Sequence, residues 1–139
     1  MKKLFTILLI SALIWTEMNR GWIPWFGGSG DSAIERAWQD HRSGIQMRGE
    51  GEVISVLADD NTGRRHQRFI LKLNSGHTLL VSHNIDIAPR IPSLKQGDEV
   101  EFYGIYEWNS EGGVIHWTHH DPRHRHTDGW LRRDGKTYQ

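Results

Sequence analysis

The chain has no cysteine among its 139 residues. That excludes a disulfide framework, a lipoprotein anchor and every thiolate metal site, so a bound metal would have to be held by nitrogen and oxygen. Net charge is missing as well: 17 Lys and Arg balance 17 Asp and Glu. No global field draws in nucleic acid or anionic lipid, and any such attraction must come from local clustering. Long hydrophobic runs are scarce. The longest, Leu4 to Trp15, is interrupted by Thr6 and Ser11 and falls short of the roughly 20 residues that span a bilayer. Proline occurs four times, and Pro89 with Pro92 forbids a long helix or a central strand between them. The length suits one domain with a single core and is too short for two.

Lys2 and Lys3 ahead of the Leu4–Trp15 run make the n-region and h-region of an export signal. Residues 1–18 are therefore expected to be a signal peptide or an N-terminal anchor. No A-x-A site follows, which leaves open membrane association through an uncleaved N-terminus. The product is expected to be periplasmic or secreted, inner-membrane anchored if the segment is kept, and monomeric. NRGWIPWFGGSG, residues 19–30, mixes Gly and Pro with aromatics and reads as a linker. The folded domain is placed at 31–139.

Within that domain Ser32 and Glu35 form a capping-box pattern, with Ile34, Ala37, Trp38 and His41 on one helical face before Gly44. From Gly49 the period becomes that of strands. GEVISVLADD runs into an acidic turn, HQRFILKL alternates, and Asn74-Ser75-Gly76 turns it into HTLLVSHN. EVEFYGIYEW puts Val100, Phe102 and Gly104 on one face, and NSEGG leads into VIHWT, the fifth strand, which puts His116, Thr118 and His120 on one face if it persists that far. SLKQGDEVEFYG resembles the entry into the fourth strand of an OB-fold. The expectation is a mainly β domain: a small five-stranded OB-like barrel with a short N-terminal helix and a basic, His-rich C-terminal segment.

The strings RHQRFIL, HNIDIAPR, GGVIHWTHHDP and GWLRRDGKTYQ resemble an uncharacterised family of short exported bacterial proteins that carry a domain of unknown function. The resemblance covers roughly Arg48 to Gln139. It implies export and a compact β domain and supplies no activity.

The chemistry is concentrated in histidine and arginine. Nine histidines are present, five of them between His116 and His126, and twelve of the seventeen cations are arginine, the residue suited to bidentate contacts with phosphate. Three constellations stand out. His83 and Asp86 in HNIDIAPR, joined by His116 and His120 from the fifth strand, form a candidate N/O ligand set for Zn²⁺ or another divalent ion. His66 is a candidate general acid/base, and Arg68 and Arg90 are candidate phosphate clamps. These three form the catalytic set. Arg64, Arg65, Asn84, Trp108 and Trp117 are assigned to substrate binding, through charge, hydrogen bonds and stacking. His124 and His126, beyond Pro122 in an Arg-rich segment, suit contact with a polyanion. Plainer roles stand beside each: Asp86 as a turn cap, Asn84 bonded to backbone, Tyr106 and Trp117 as core, and residues Arg123 to Lys136 as a solvated basic tail.

Micrococcal-type nucleases are similar as exported nucleases on an OB-fold, but their acidic pair is absent here and Arg90 stands where a carboxylate would be. The functional expectation is an exported protein that binds a phosphate-bearing polymer, foremost nucleic acid, with a lean toward metal-dependent phosphodiesterase activity. The alternative is a non-catalytic module of the cell envelope that binds oligosaccharide or a partner protein.

Overall fold

A computed structural model describes residues 28–139. The signal-peptide or anchor reading of 1–18 and most of the proposed linker lie outside the described residues. The elements run α1 (Gly28–Gln39), β1 (Ile45–Val56), β2 (His66–Leu73), β3 (Thr78–Asn84), β4 (Glu99–Glu107), β5 (Val114–His116), β6 (Trp130–Arg133) and β7 (Lys136–Tyr138). No described helix is long and apolar enough to cross a membrane.

The sheet order is β1-β2-β3-β5-β4, and β1 pairs again with β4 to close a five-stranded barrel. The β3–β5 pair is parallel and the others are antiparallel, the arrangement expected of an OB-like barrel. Closure requires β1 to serve two partners. Its first half pairs with β4 from Ile45↔Tyr106 to Glu52↔Glu99, and its second half pairs with β2 from Gly51↔Leu73 onward. At the overlap a Cβ on Gly51 would lie 2.8 Å from the Lys72 carbonyl oxygen, so glycine lets the backbones close at this corner. A bulge between Val53 and Ser55 then adds curvature. The first strand thus begins six residues before the alternation that marks it in sequence, because Gly49 and Gly51 interrupt the pattern where the strand bends.

Strand alternation decides the core. Gln67, Phe69, Leu71 and Leu73 of β2 and Val100, Phe102, Gly104 and Tyr106 of β4 point inward, joined by Val53, Leu79, Val81 and Ile115. Burying each such side chain fully contributes about 1.5–3 kcal/mol before entropy is counted. The Pro-containing connector between β3 and β4 packs through Ile91, whose N–H and C=O both bond to the Gln67 side chain, at 2.9 and 3.0 Å.

Helix α1 closes one end of the barrel. Ile34 and Ala37 enter the core, Asp31 Oδ2 accepts from the Ser75 N–H in the β2–β3 turn, and Trp38 Nε1 donates to Asn109 O at 3.0 Å. The helix starts at Gly28 and not at Ser32, so Ser32 lies inside it and is no N-cap. His41 falls past its end in a left-handed conformation (φ 52°) and stacks on Trp108.

The C-terminal segment holds two strands that are not evident in sequence. β6 pairs with Glu101–Tyr103 of β4 and β7 pairs with β6. Leu131 and Tyr138 are buried, and Trp130 carries the guanidinium groups of Arg48 and Arg132 over its ring at 5.2 and 4.5 Å.

Candidate functional site

The fifth strand, expected over VIHWT and considered as far as His120, stops at His116. Trp117 adopts φ 56°, a left-handed conformation that ends pairing and is uncommon for a bulky residue. The proposed common face for His116, Thr118 and His120 therefore does not exist. β5 pairs with Ile105–Glu107 of β4 and β6 with Glu101–Tyr103 of the same edge, both antiparallel. The two are one strand interrupted opposite Gly104, and residues 117–129 leave the sheet at that point and return to it. A side chain on Gly129 would run into the Trp117 and Tyr103 carbonyl oxygens. Gly129 N–H donates to His119 O at 2.9 Å. With its ends in contact, this excursion is an Ω-loop, not a tail.

Asp121 organises the loop from inside. Its residue is 3 % exposed. Oδ1 accepts from Arg123 N–H at 2.9 Å, and Oδ2 accepts from the N–H groups of Arg125 and His126 at 2.8 and 2.7 Å. Its own N–H donates to Asp128 Oδ1 at 2.7 Å. The Arg123 amide, followed by those of Arg125 and His126, holds the Asp121 carboxyl below the usual carboxylate range. One ionised side chain thereby sets where Arg123, Arg125 and His126 project.

They project into a cleft of about 520 Å³ at the barrel end where β2 begins and β3 and β5 finish. Arg64, Arg123 and Arg125 line it, and His66, His116, His119 and His126 stand among them. The Trp117 ring lies 4.6 Å from that of His126 and 5.4 Å from that of His119. Asn84 also lines the cleft; its Oδ1 caps the Asp86 N–H at 2.9 Å. Five residues assigned from sequence thus meet here: Arg64, His66, Asn84, His116 and Trp117. His126, expected with His124 to contact a polyanion, lines the cleft as well, whereas His119, Arg123 and Arg125 were not assigned, although the five-histidine cluster and the Arg-His-Arg-His run marked the segment.

The other assigned residues serve elsewhere. Arg65 donates its Nε and its backbone N–H to the two oxygens of Asp86, each at 2.8 Å, which holds that carboxyl below its ordinary range. Arg68 donates twice to Ala58 O, at 3.1 and 3.0 Å, and Arg90 pairs with Asp59. Trp108 follows β4 at the opposite barrel end, where its Nε1 donates to Trp38 O at 3.0 Å. The guanidinium groups of Arg64, Arg123 and Arg125 make no hydrogen bond or ion pair among the described residues.

The expected metal set is not assembled. His83 is fully buried. Its Nε2 donates to Pro89 O at 2.9 Å, and its Nδ1 accepts from Thr118 Oγ1 at 2.8 Å. With both ring nitrogens taken, it fastens β3 to the connector and to the neck of the Ω-loop. Burial pushes its pKa down to about 4, so it is neutral in the fold. Asp86 is bound to Arg65, His116 lies 3.4 Å from Glu107, and His120 is exposed. Among the described residues no three His, Asp or Glu side chains converge on one point that could hold a metal ion.

Two cleft histidines share one arrangement. His66 Nδ1 donates to Arg64 O at 2.8 Å, and His119 Nδ1 donates to His120 O at 2.6 Å. A carbonyl can only accept, so both imidazoles carry their proton on Nδ1 and keep a free lone pair on Nε2. Burial lowers the His119 pKa from its ordinary value.

No curated protein matches the chain. A family model described as a protein of unknown function, DUF3465, matches residues 18–139. That span takes in the barrel, the interrupted strand and the whole Ω-loop, so the chain belongs to the DUF3465 family.

Proposed function

We propose that this protein binds single-stranded nucleic acid in the cleft between the barrel end and the Ω-loop. The observation that carries this reading is the convergence around Trp117 of Arg64, Arg123 and Arg125, whose guanidinium groups make no hydrogen bond or ion pair among the described residues; Arg64 has only a longer-range attraction to the Asp86 carboxyl, which is already paired with Arg65. Arg48, Arg65, Arg68, Arg90, Arg132 and Arg133 each have an acceptor in the fold, and Arg36 and Arg42, which have none among the described residues, do not line the cleft. Arg64, Arg123 and Arg125 share one concave site and present forked donors suited to phosphate oxygens. Trp117 offers an aromatic face for a base, a contact worth about 1–3 kcal/mol per base and tolerant of sequence. A cleft of about 520 Å³ suits a nucleotide-sized ligand.

The test is fluorescence anisotropy with a labelled 12-nucleotide strand at rising salt. Contacts from three arginines predict a slope of log K against log salt of about −2, at roughly −0.7 per phosphate neutralised. Replacing Arg64 and Arg125 by Ala should flatten that slope by more than half. Binding of a neutral oligosaccharide at salt-independent affinity, with no binding of the nucleic acid, would establish the envelope-module alternative instead.

Export through residues 1–18 belongs to the same proposal. A fusion of residues 1–30 to a reporter active only outside the cytoplasm should be active. An inactive reporter with normal expression would remove export from the reading.

A further inference from the structure

We infer that the cleft cleaves RNA by transphosphorylation, with His66 and His119 as the acid–base pair and the substrate's own 2′-hydroxyl as nucleophile; this rests on the nucleic-acid reading above. The residues lining the cleft include no Ser, Thr, Cys, Lys or Tyr, and their one carboxylate, Asp121, has both oxygens committed to backbone amides. Apart from its imidazoles, the protein therefore offers no covalent nucleophile of its own here. It offers two imidazoles of fixed tautomer, one from each wall. His66 is the first residue of β2, and His119 stands in the loop neck, where its own carbonyl accepts from Gly129. Each has a free Nε2, the condition for receiving or, once protonated, delivering a proton.

The roles follow from burial. His119 is 3 % exposed and its charged form is disfavoured by desolvation, which makes it the base. It takes the proton of the 2′-hydroxyl as the O2′–P bond forms. His66, half-buried at the start of β2, is the acid. Acting from its imidazolium form, with a second proton taken up from water on Nε2, it gives that proton to O5′ as the P–O5′ bond breaks and the electron pair leaves with that oxygen. The products are a 2′,3′-cyclic phosphate and a 5′-hydroxyl. One proton is taken up and one released, and water restores both imidazoles. Arg64, Arg123 and Arg125 offset the charge that develops on the non-bridging oxygens. The charged or titratable neighbours of this pair are Asp60 beside His66, His120 and Asp121 beside His119, and His83 behind both. DNA has the same phosphates and no 2′-hydroxyl, so it binds without being cut.

The experiment offers the full-length protein three labelled 12-mers in EDTA: RNA, the same sequence as DNA, and the same sequence with every ribose 2′-O-methylated. Binding and cleavage are read separately. Expected are comparable binding of all three, cleavage of RNA alone, and fragments ending in cyclic phosphate. His66→Gln should lower kcat by about 10²- to 10⁴-fold with KM within a few-fold. His119→Gln should do the same. If either variant does not fold, the 2′-O-methyl strand in the unaltered protein still decides the nucleophile. RNA bound and left intact overturns this inference and leaves the binding proposal standing. Failure of all three strands to bind overturns both. Cleavage of DNA, cleavage only after a divalent ion is added, or full activity in both folded histidine variants also overturns the inference.

Discussion

Replacing Asp121 by Ala should leave a folded barrel that binds nucleic acid far more weakly. The barrel core contains none of the Ω-loop residues 117–129. The loop itself is held by three amides converging on one carboxylate, and without it Arg123, Arg125 and His126 have nothing to fix their direction. Losing two charge-assisted contacts to phosphate, each worth about 1.5–3 kcal/mol, lowers affinity by about 10²- to 10⁴-fold. The far-UV spectrum should be unchanged while Trp117 emission shifts toward that of a solvated indole. Affinity within threefold of the parent would show that the loop is not positioned by Asp121. Because the folded-state pKa of this carboxyl is depressed, the loop is stabilised above the ordinary carboxylate range. That contribution disappears only as pH falls through the lowered value.

His83→Ala is expected to act in the opposite way, on the fold before the cleft. The change removes a fully buried ring and orphans Pro89 O and Thr118 Oγ1. A cavity together with unsatisfied buried polar groups costs about 3 kcal/mol or more, which lowers Tm by on the order of 10 °C. The parent should also carry an acid signature. Its His83 pKa is about 4 when folded, against 6.5 for the ordinary group, so between these values the unfolded chain binds more protons. Stability is full above pH 6.5 and falls by about 3 kcal/mol as pH drops to 4. His119, also depressed, adds in the same direction. Melting curves of parent and variant between pH 4 and 7.5 separate the His83 share: the variant starts lower and declines less steeply. Parallel curves would mean that the imidazole is not neutral in the fold.

These two residues show why histidine roles were hard to read along the chain. His83 and Asp86 lie three apart in HNIDIAPR and look like a ligand pair. Yet His83 points into the barrel toward Thr118, 35 positions away, and Asp86 turns outward to Arg65, 21 positions away. Arg65, Arg68 and Arg90 had the same composition-level claim on phosphate as Arg64. Only their acceptors, Asp86, Ala58 O and Asp59, remove them from it. His119 had no such claim alone, since its value depends on a tautomer fixed by the carbonyl beside it.

The strands were legible because burial follows a period of two wherever a sheet has one face in the core. HQRFILKL and EVEFYGIYE obey it residue by residue. Closure into a five-stranded barrel followed from the strand count and the Pro-containing connector. The cleft was not legible, because nothing periodic marks the place where Trp117 turns left-handed and the fifth strand breaks. DPRHRHTD has the composition of a solvated tail. It becomes a wall of the cleft because β6 returns to the edge of β4 beyond Gly104, forcing the ends of the segment together around a buried carboxylate. The sequence by itself determined the barrel, through local alternation that each strand carries within its own residues. Only the tertiary structure decided which cations are left without partners, because a pairing between residues 20 or 30 positions apart depends on strand register and loop closure that no local pattern encodes.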